Sequence, residues 1–216
     1  SIMRYIMEED IDIVKTINMI CNTPINKDKL CENLRQQYVK CKDDYKTAFA
    51  YGLLNFLLAT KTKDTTIGSE KIEVIFNAFN HALELIPQYW LVQMFKAILL
   101  LELPEVMRND KELEELLLQM IEQQKECEPK AYFIIPYIIY ADFSYSTKGK
   151  DALYELLLEA EKDIPLYSLE QNYLKPYFCM PIRNFFKRLL RSGEAEYSDR
   201  VKKIGAILFP NEKVFQ

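Results

Sequence analysis

The chain has 216 residues, with 28 basic side chains against 32 acidic ones and a single histidine, for a formal charge of −4 and a pI near 5.3. Hydrophobic residues make up 49%, enough to build a substantial core without disulfides and well outside the disordered class. The acidic balance argues against general nucleic-acid binding, and five glycines in the whole chain argue against a β-sandwich or a loop-rich enzyme.

Taken in chain order, Ile11, Val14, Ile17 and Ile20 predict a helix over residues 8–21, ended by Asn22, Thr23 and Pro24. Leu30, Leu34 and Tyr38 predict a second helix over 28–42. Residues 44–60 combine Phe49, Leu53, Leu54, Phe56 and Leu57 with Ala48, Ala50 and Gly52, small residues that let a partner helix approach closely. The polar stretch 61–68 should break the pattern, with Ser69 as the N-cap of an amphipathic helix. Its apolar stripe is Ile72, Ile75, Phe76, Phe79, Ala82, Leu83 and Ile86.

Pro87 should end that helix and open the next at a first-turn position. Residues 89–103 are apolar almost all round, as suits a helix packed between neighbours. Asn109, three residues ahead of Glu112, resembles a capping box at the start of an acidic helix that runs to about residue 126. Pro129 starts another, in which Pro136 should introduce a kink or shift the first turn. Gly149 and Lys150 separate it from a helix bearing Leu153, Leu156, Leu157 and Ala160. After residue 166, Pro176 and Pro181 should divide the chain into shorter helices; Gly193 is a C-cap and 199–208 a last short helix. No strand is expected. The longest apolar run near the middle, 131–143, contains Pro136 and Asp142 and is too short to span a bilayer.

One phrase occurs twice. Ala82, Ile86, Pro87 and Tyr89 recur at the same spacing as Ala160, Ile164, Pro165 and Tyr167, and Pro129 with Tyr132 forms a weaker copy between them. The prolines lie 42 and 36 residues apart, the period of stacked helical hairpins rather than of one closed bundle.

These repeats resemble the tetratricopeptide family over roughly residues 44–165. Tyr137, Tyr140 and Ala141 stand at its first-helix positions, and Leu153, Leu157, Ala160 and Pro165 at its second-helix positions. In the earlier unit Ile75, Phe79, Ala82 and Pro87 match the second helix, with an insertion near 61–68. The resemblance implies an all-α, TPR-like α-solenoid over one domain, 1–216. Residues 1–43 then supply N-terminal helices, 44–165 the repeats and 166–216 the capping helices. It also implies that Ala82 and Ala160 are small because a helix backbone crosses there, so a leucine at Ala160 should overpack the crossing.

No glycine-rich phosphate loop, HExxH or nucleophile elbow is present, and with His81 as the lone histidine, placed on the polar side of its helix, neither a metal site nor a cofactor is expected. Cys21, Cys31, Cys41, Cys127 and Cys179 contain no CxxC pair and read as reduced thiols, mostly small buried hydrophobes. Two charged faces stand out. Arg183, Lys187, Arg188 and Arg191 form a basic stripe suited to an acidic partner or a phosphate. Glu112, Glu114, Glu115, Glu122, Glu126 and Glu128 form an acidic face suited to a basic partner. Each also reads as an ordinary solvated face. The aromatic series Tyr132, Phe133, Tyr137, Tyr140, Phe143 and Tyr145 reads mainly as core, or as binding anchors on a concave surface.

Glu8, Glu9 and Asp10 occupy the place where a secretory signal would need an apolar core, so the expected location is cytoplasmic. The expectation from sequence is a non-enzymatic, protein-binding helical-repeat protein, most specifically a bacterial immunity protein masking a basic toxin domain. A peptide-binding adaptor or chaperone and an enzyme with a carboxylate-based site in an all-helical pocket are the alternatives.

Overall fold

A computed structural model describes residues 2–24, 26–61, 65–162, 169 and 173–216, with the side chains of residues 61 and 65–69 left out. Among the described residues it is all-helical, and its contacts gather into two units, 1–96 and 97–216. No helix among them is long and apolar enough to cross a membrane.

The first unit contains α1 (Glu8–Asn22), α2 (Lys27–Lys40), α3 (Tyr45–Lys61), α4 (Thr65–Leu85) and the start of α5 (Trp90–Glu102). Asn26 caps α2, its side chain accepting from the N–H groups of Asp28 and Lys29, and Asp44 caps α3 through the N–H of Lys46. α3 and α4 pack as a tight hairpin, with α1 and α2 against α3. Gly52 permits that closeness: a Cβ there would stand 2.6 Å from the Phe79 ring and 3.3 Å from the Ala78 methyl. The core is aromatic, the Phe95 ring lying 6.0, 5.6 and 6.3 Å from those of Phe49, Phe56 and Phe79. The chain's start is tied to the α4–α5 turn, Arg4 N–H donating to Gln88 O at 2.7 Å and Trp90 N–H to Arg4 O at 3.3 Å.

The second unit holds the rest of α5, α6 (Asp110–Lys125), α7 (Ile134–Lys148), α8 (Leu153–Glu161), α9 (Lys175–Arg191) and α10 (Ala195–Leu208). α7 is the hub, packed by α6, α8 and α9, and it buries Ile134, Ile135, Ile138, Ile139, Ala141 and Phe143. α9 and α10 form a hairpin whose bend is a Schellman turn: Gly193 has φ +76°, and Glu194 N–H donates to Leu189 O at 3.0 Å.

Several boundaries differ from the sequence expectation. α4 begins at Thr65, so Ser69 lies inside the helix; an established helix extends cheaply, and neither Ser69 nor Gly68 stops it. Pro87 lies in the turn ahead of Trp90 and does not open α5. Pro129 does not start a helix: a short 3-10 turn, Ala131–Phe133, follows it and α7 begins at Ile134, with Pro136 shifting the first turn, one of the two outcomes expected of it. Pro176 and Pro181 do not divide α9: Pro176 sits in the first turn, where its missing N–H costs nothing, and Pro181 forfeits one bond near the start of a helix that buries Ile182, Phe185, Phe186 and Leu189. α10 starts at Ala195, four residues before the expected 199. In the repeated phrase, Ala82, Tyr89 and Ala160 are buried, while Ile164, Pro165 and Tyr167 lie outside the described residues.

Candidate functional site

Charge is unevenly spread along the chain. Residues 1–96 carry 12 basic and 12 acidic side chains, so the whole formal charge of −4 belongs to 97–216. Within that unit, 97–162 has 14 acidic against 7 basic side chains, whereas 173–216 has 4 against 9.

The acidic part is built by α6 and α8, both lying on α7. Asn109 starts α6 as its side chain accepts from Glu112 N–H at 3.1 Å. Leu113, Leu116, Leu117, Met120 and Ile121 turn inward, which leaves Glu115 and Glu122 in solvent with Leu118, 43% exposed, between them. Glu112 is half-buried. Glu115 stands 3.9 Å from Lys111, Glu122 2.8 Å from Lys125 and Glu114 3.3 Å from Lys148. α8 repeats the arrangement: Leu153, Leu157 and Ala160 face inward, while Tyr154 and Leu158, 49% and 41% exposed, stand among the exposed Asp151, Glu155 and Glu159. The Arg200 guanidinium lies 5.0 Å over the Tyr154 ring and 2.7 Å from Glu161.

Between the C-terminal ends of α6 and α8 and the first turns of α7 lies a cavity of about 210 Å³. Phe133, Ile134, Ala160 and Leu208 are its buried apolar lining; Lys125, Lys130, Tyr137 and Glu159 are its polar one. Burial holds the Tyr137 hydroxyl above its ordinary pKa and Glu159 acts in the same direction, against Lys125 and Lys162, so the phenol stays protonated at neutral pH. Lys125 is also raised, chiefly by its hydrogen bond to Glu122.

The basic stripe on α9 does not act as one surface. Lys187 and Arg191 are exposed beside Leu190, Arg183 is half-buried, and Arg188 turns onto Asp142 of α7. Asp142 is 1% exposed; Arg188 Nη2 donates to its Oδ2 at 3.2 Å, and Arg188 Nε lies 3.0 Å from Oδ1 in poor alignment for a hydrogen bond. Burial pushes the Asp142 carboxyl up to about 7, against the pull of Arg188 and with further help from Glu102.

The remaining candidates fall elsewhere. His81 is half-buried rather than solvated, its Nδ1 3.1 Å from Tyr38 Oη and its ring edge-on to Tyr38. Cys21 and Cys179 are buried, Cys31 and Cys127 half-buried and Cys41 exposed. Of the aromatic series, Phe133 and Phe143 are fully in the core, and Tyr132, Tyr137, Tyr140 and Tyr145 are half-buried. Among the described residues no three His, Cys, Asp or Glu side chains converge as metal ligands. Sequence reasoning missed the cavity and the Asp142 pair; the visible signal for the latter was one charge inside an apolar run. No protein-family model, curated protein or solved structure matches this chain.

Proposed function

We propose that the protein is a non-enzymatic binding module that covers a basic domain of another protein with the acidic faces of α6 and α8. The observation that carries the reading is exposed Leu118, Tyr154 and Leu158 set among Glu115, Glu122, Asp151, Glu155 and Glu159. Apolar anchors give contact area that excludes water, and the surrounding carboxylates speed encounter and reject acidic partners. The α3/α4 and α7/α8 hairpins support reading the chain as TPR-like stacked repeats. Within this class, the specific function is neutralisation of a basic toxin domain in the cytoplasm, with no catalysis and no membrane contact.

Co-expression with the reading frames adjoining its gene tests this. The wild-type protein should restore growth arrested by a basic toxin, and reversing Glu115, Glu122 and Glu155 to lysine should abolish rescue while helical content is retained. Failure to protect against any adjoining product would overturn neutralisation. Carboxylate catalysis is the second reading, favoured by the near-neutral pKa of Asp142. At 1% exposure that carboxyl lacks room for a substrate, which sets this reading behind the first.

A further inference from the structure

The cavity between α6, α7 and α8 combines an apolar lining with charges of both signs, a chemistry suited to a small molecule. Its lining is apolar at Phe133, Ile134, Ala160 and Leu208, yet it also carries charges of both signs: Lys125 and Lys130 on one side of the sequence, Glu159 on the other. Lys125 and Glu159 are each held by an exposed partner three residues away on the same stretch of helix, Glu122 at 2.8 Å and Lys162 at 3.2 Å. Exposed pairs of this kind are weak and can be exchanged for the charges of a ligand.

Size narrows the ligand. A dry apolar cavity of about 150 Å³ accepts benzene, so this space of about 210 Å³, which opens to solvent, holds one ring with its polar substituents toward the opening. A simple anion would meet Glu159, and a simple cation would meet Lys125 and Lys130; a zwitterion satisfies both signs. We propose that the cavity binds a free aromatic α-amino acid. The ring rests on the apolar lining, the carboxylate turns to Lys125 and Lys130, and the ammonium to Glu159. The Tyr137 hydroxyl, protonated at neutral pH, donates to the carboxylate. The site borders the partner-binding face and shares Glu159 with it, but its test reads a small molecule and needs no partner protein.

Calorimetric titration of the full chain with three probes tests it: L-phenylalanine, N-acetyl-L-phenylalanine, which lacks the ammonium, and L-phenylalanine amide, which lacks the carboxylate. Loss of one charge-assisted contact corresponds to about tenfold, so phenylalanine should bind about tenfold tighter than either derivative. Lys125→Gln should weaken phenylalanine and the N-acetyl compound but not the amide, and Glu159→Gln should weaken phenylalanine and the amide but not the N-acetyl compound. Absence of saturable heat at millimolar phenylalanine, or equal affinity for all three probes, overturns the proposal. Preference for the N-acetyl compound or the amide also overturns it, and assigns the cavity to a chain end of a partner instead.

Discussion

The alanines of the two copies of the repeated phrase have different surroundings. In residues 1–96 its alanine and tyrosine are both sealed: Ala82 is fully buried in the α3/α4 hairpin, and Tyr89 donates its hydroxyl to the buried Asp10. In residues 97–216 Ala160 is buried as well, but it lines the cavity beside Tyr137 and Glu159. A small residue therefore permits close approach without enforcing it; what fills the space above the methyl group decides between a helix crossing and an open cavity.

The buried carboxylates divide in the same way. Asp10 accepts from Arg4 at 3.1 Å, from Tyr89, and from Met7 N–H at 2.9 Å, while Arg4 is stacked 4.8 and 5.1 Å from the rings of Tyr45 and Tyr89. Burial opposes the charge of Arg4, but its hydrogen bonds to Glu9 and Asp10 outweigh that, so its pKa is raised. Asp142 has one well-aligned bond from Arg188. The first arrangement fastens the chain's start to the α4–α5 turn; the second leaves a carboxyl that gains or loses a proton near neutrality.

The largest expected effect breaks the first cluster. Asp10→Ala leaves Arg4, Tyr89 and Met7 N–H short of an acceptor and should cost about 3 to 5 kcal/mol in chemical denaturation; a loss below about 1 kcal/mol would mean the cluster is not a fastening. Next comes Asp142. Its folded pKa, about 7, lies above the unfolded value near 4, so the wild-type protein is favoured below about pH 4 and loses that advantage as pH rises through 7. Between pH 5 and 7 the wild-type protein should lose about 2 kcal/mol relative to Asp142→Asn. Parallel stability curves for the two proteins would show that the carboxyl does not titrate there.

The paired alanines sharpen the comparison directly. Ala82→Leu overpacks a filled crossing and should cost about 1 to 3 kcal/mol. Ala160→Leu, expected from the sequence to do the same, enters the cavity and should be neutral or stabilise by up to about 1 kcal/mol while abolishing phenylalanine binding. Equal losses at the two sites would erase the distinction. Smallest of all, Glu122→Gln removes one exposed ion pair and should leave the denaturation midpoint where it is, since such pairs are screened and mobile.

Some helices were legible: α1, α3 and α6 fall within a residue or two of their expected bounds, because a run of apolar residues and, for α6, the Asn109 cap are local signals. Boundaries resting on one residue were less legible. Ser69 lies inside α4 because an established helix extends cheaply past a single cap former, and Pro181 lies inside α9 because burial on either side outweighs one lost hydrogen bond. The acidic face could be read as a charge pattern, but Arg188 could not be separated from Arg191, since only packing of α9 against α7 reveals that one of them meets Asp142. The cavity left no sequence signal, because unfilled space depends on side chains from four elements at once.

The most direct test of function is calorimetric titration of the protein against whichever basic domain the co-expression experiment identifies, at low and high salt, with two charge-reversed variants. Binding by α6 and α8 predicts affinity that falls steeply with salt and collapses in Glu115→Lys/Glu122→Lys, while Lys187→Glu/Arg191→Glu binds as well as the wild-type protein. Salt-independent binding, or loss of binding only on reversal of Lys187 and Arg191, would contradict it.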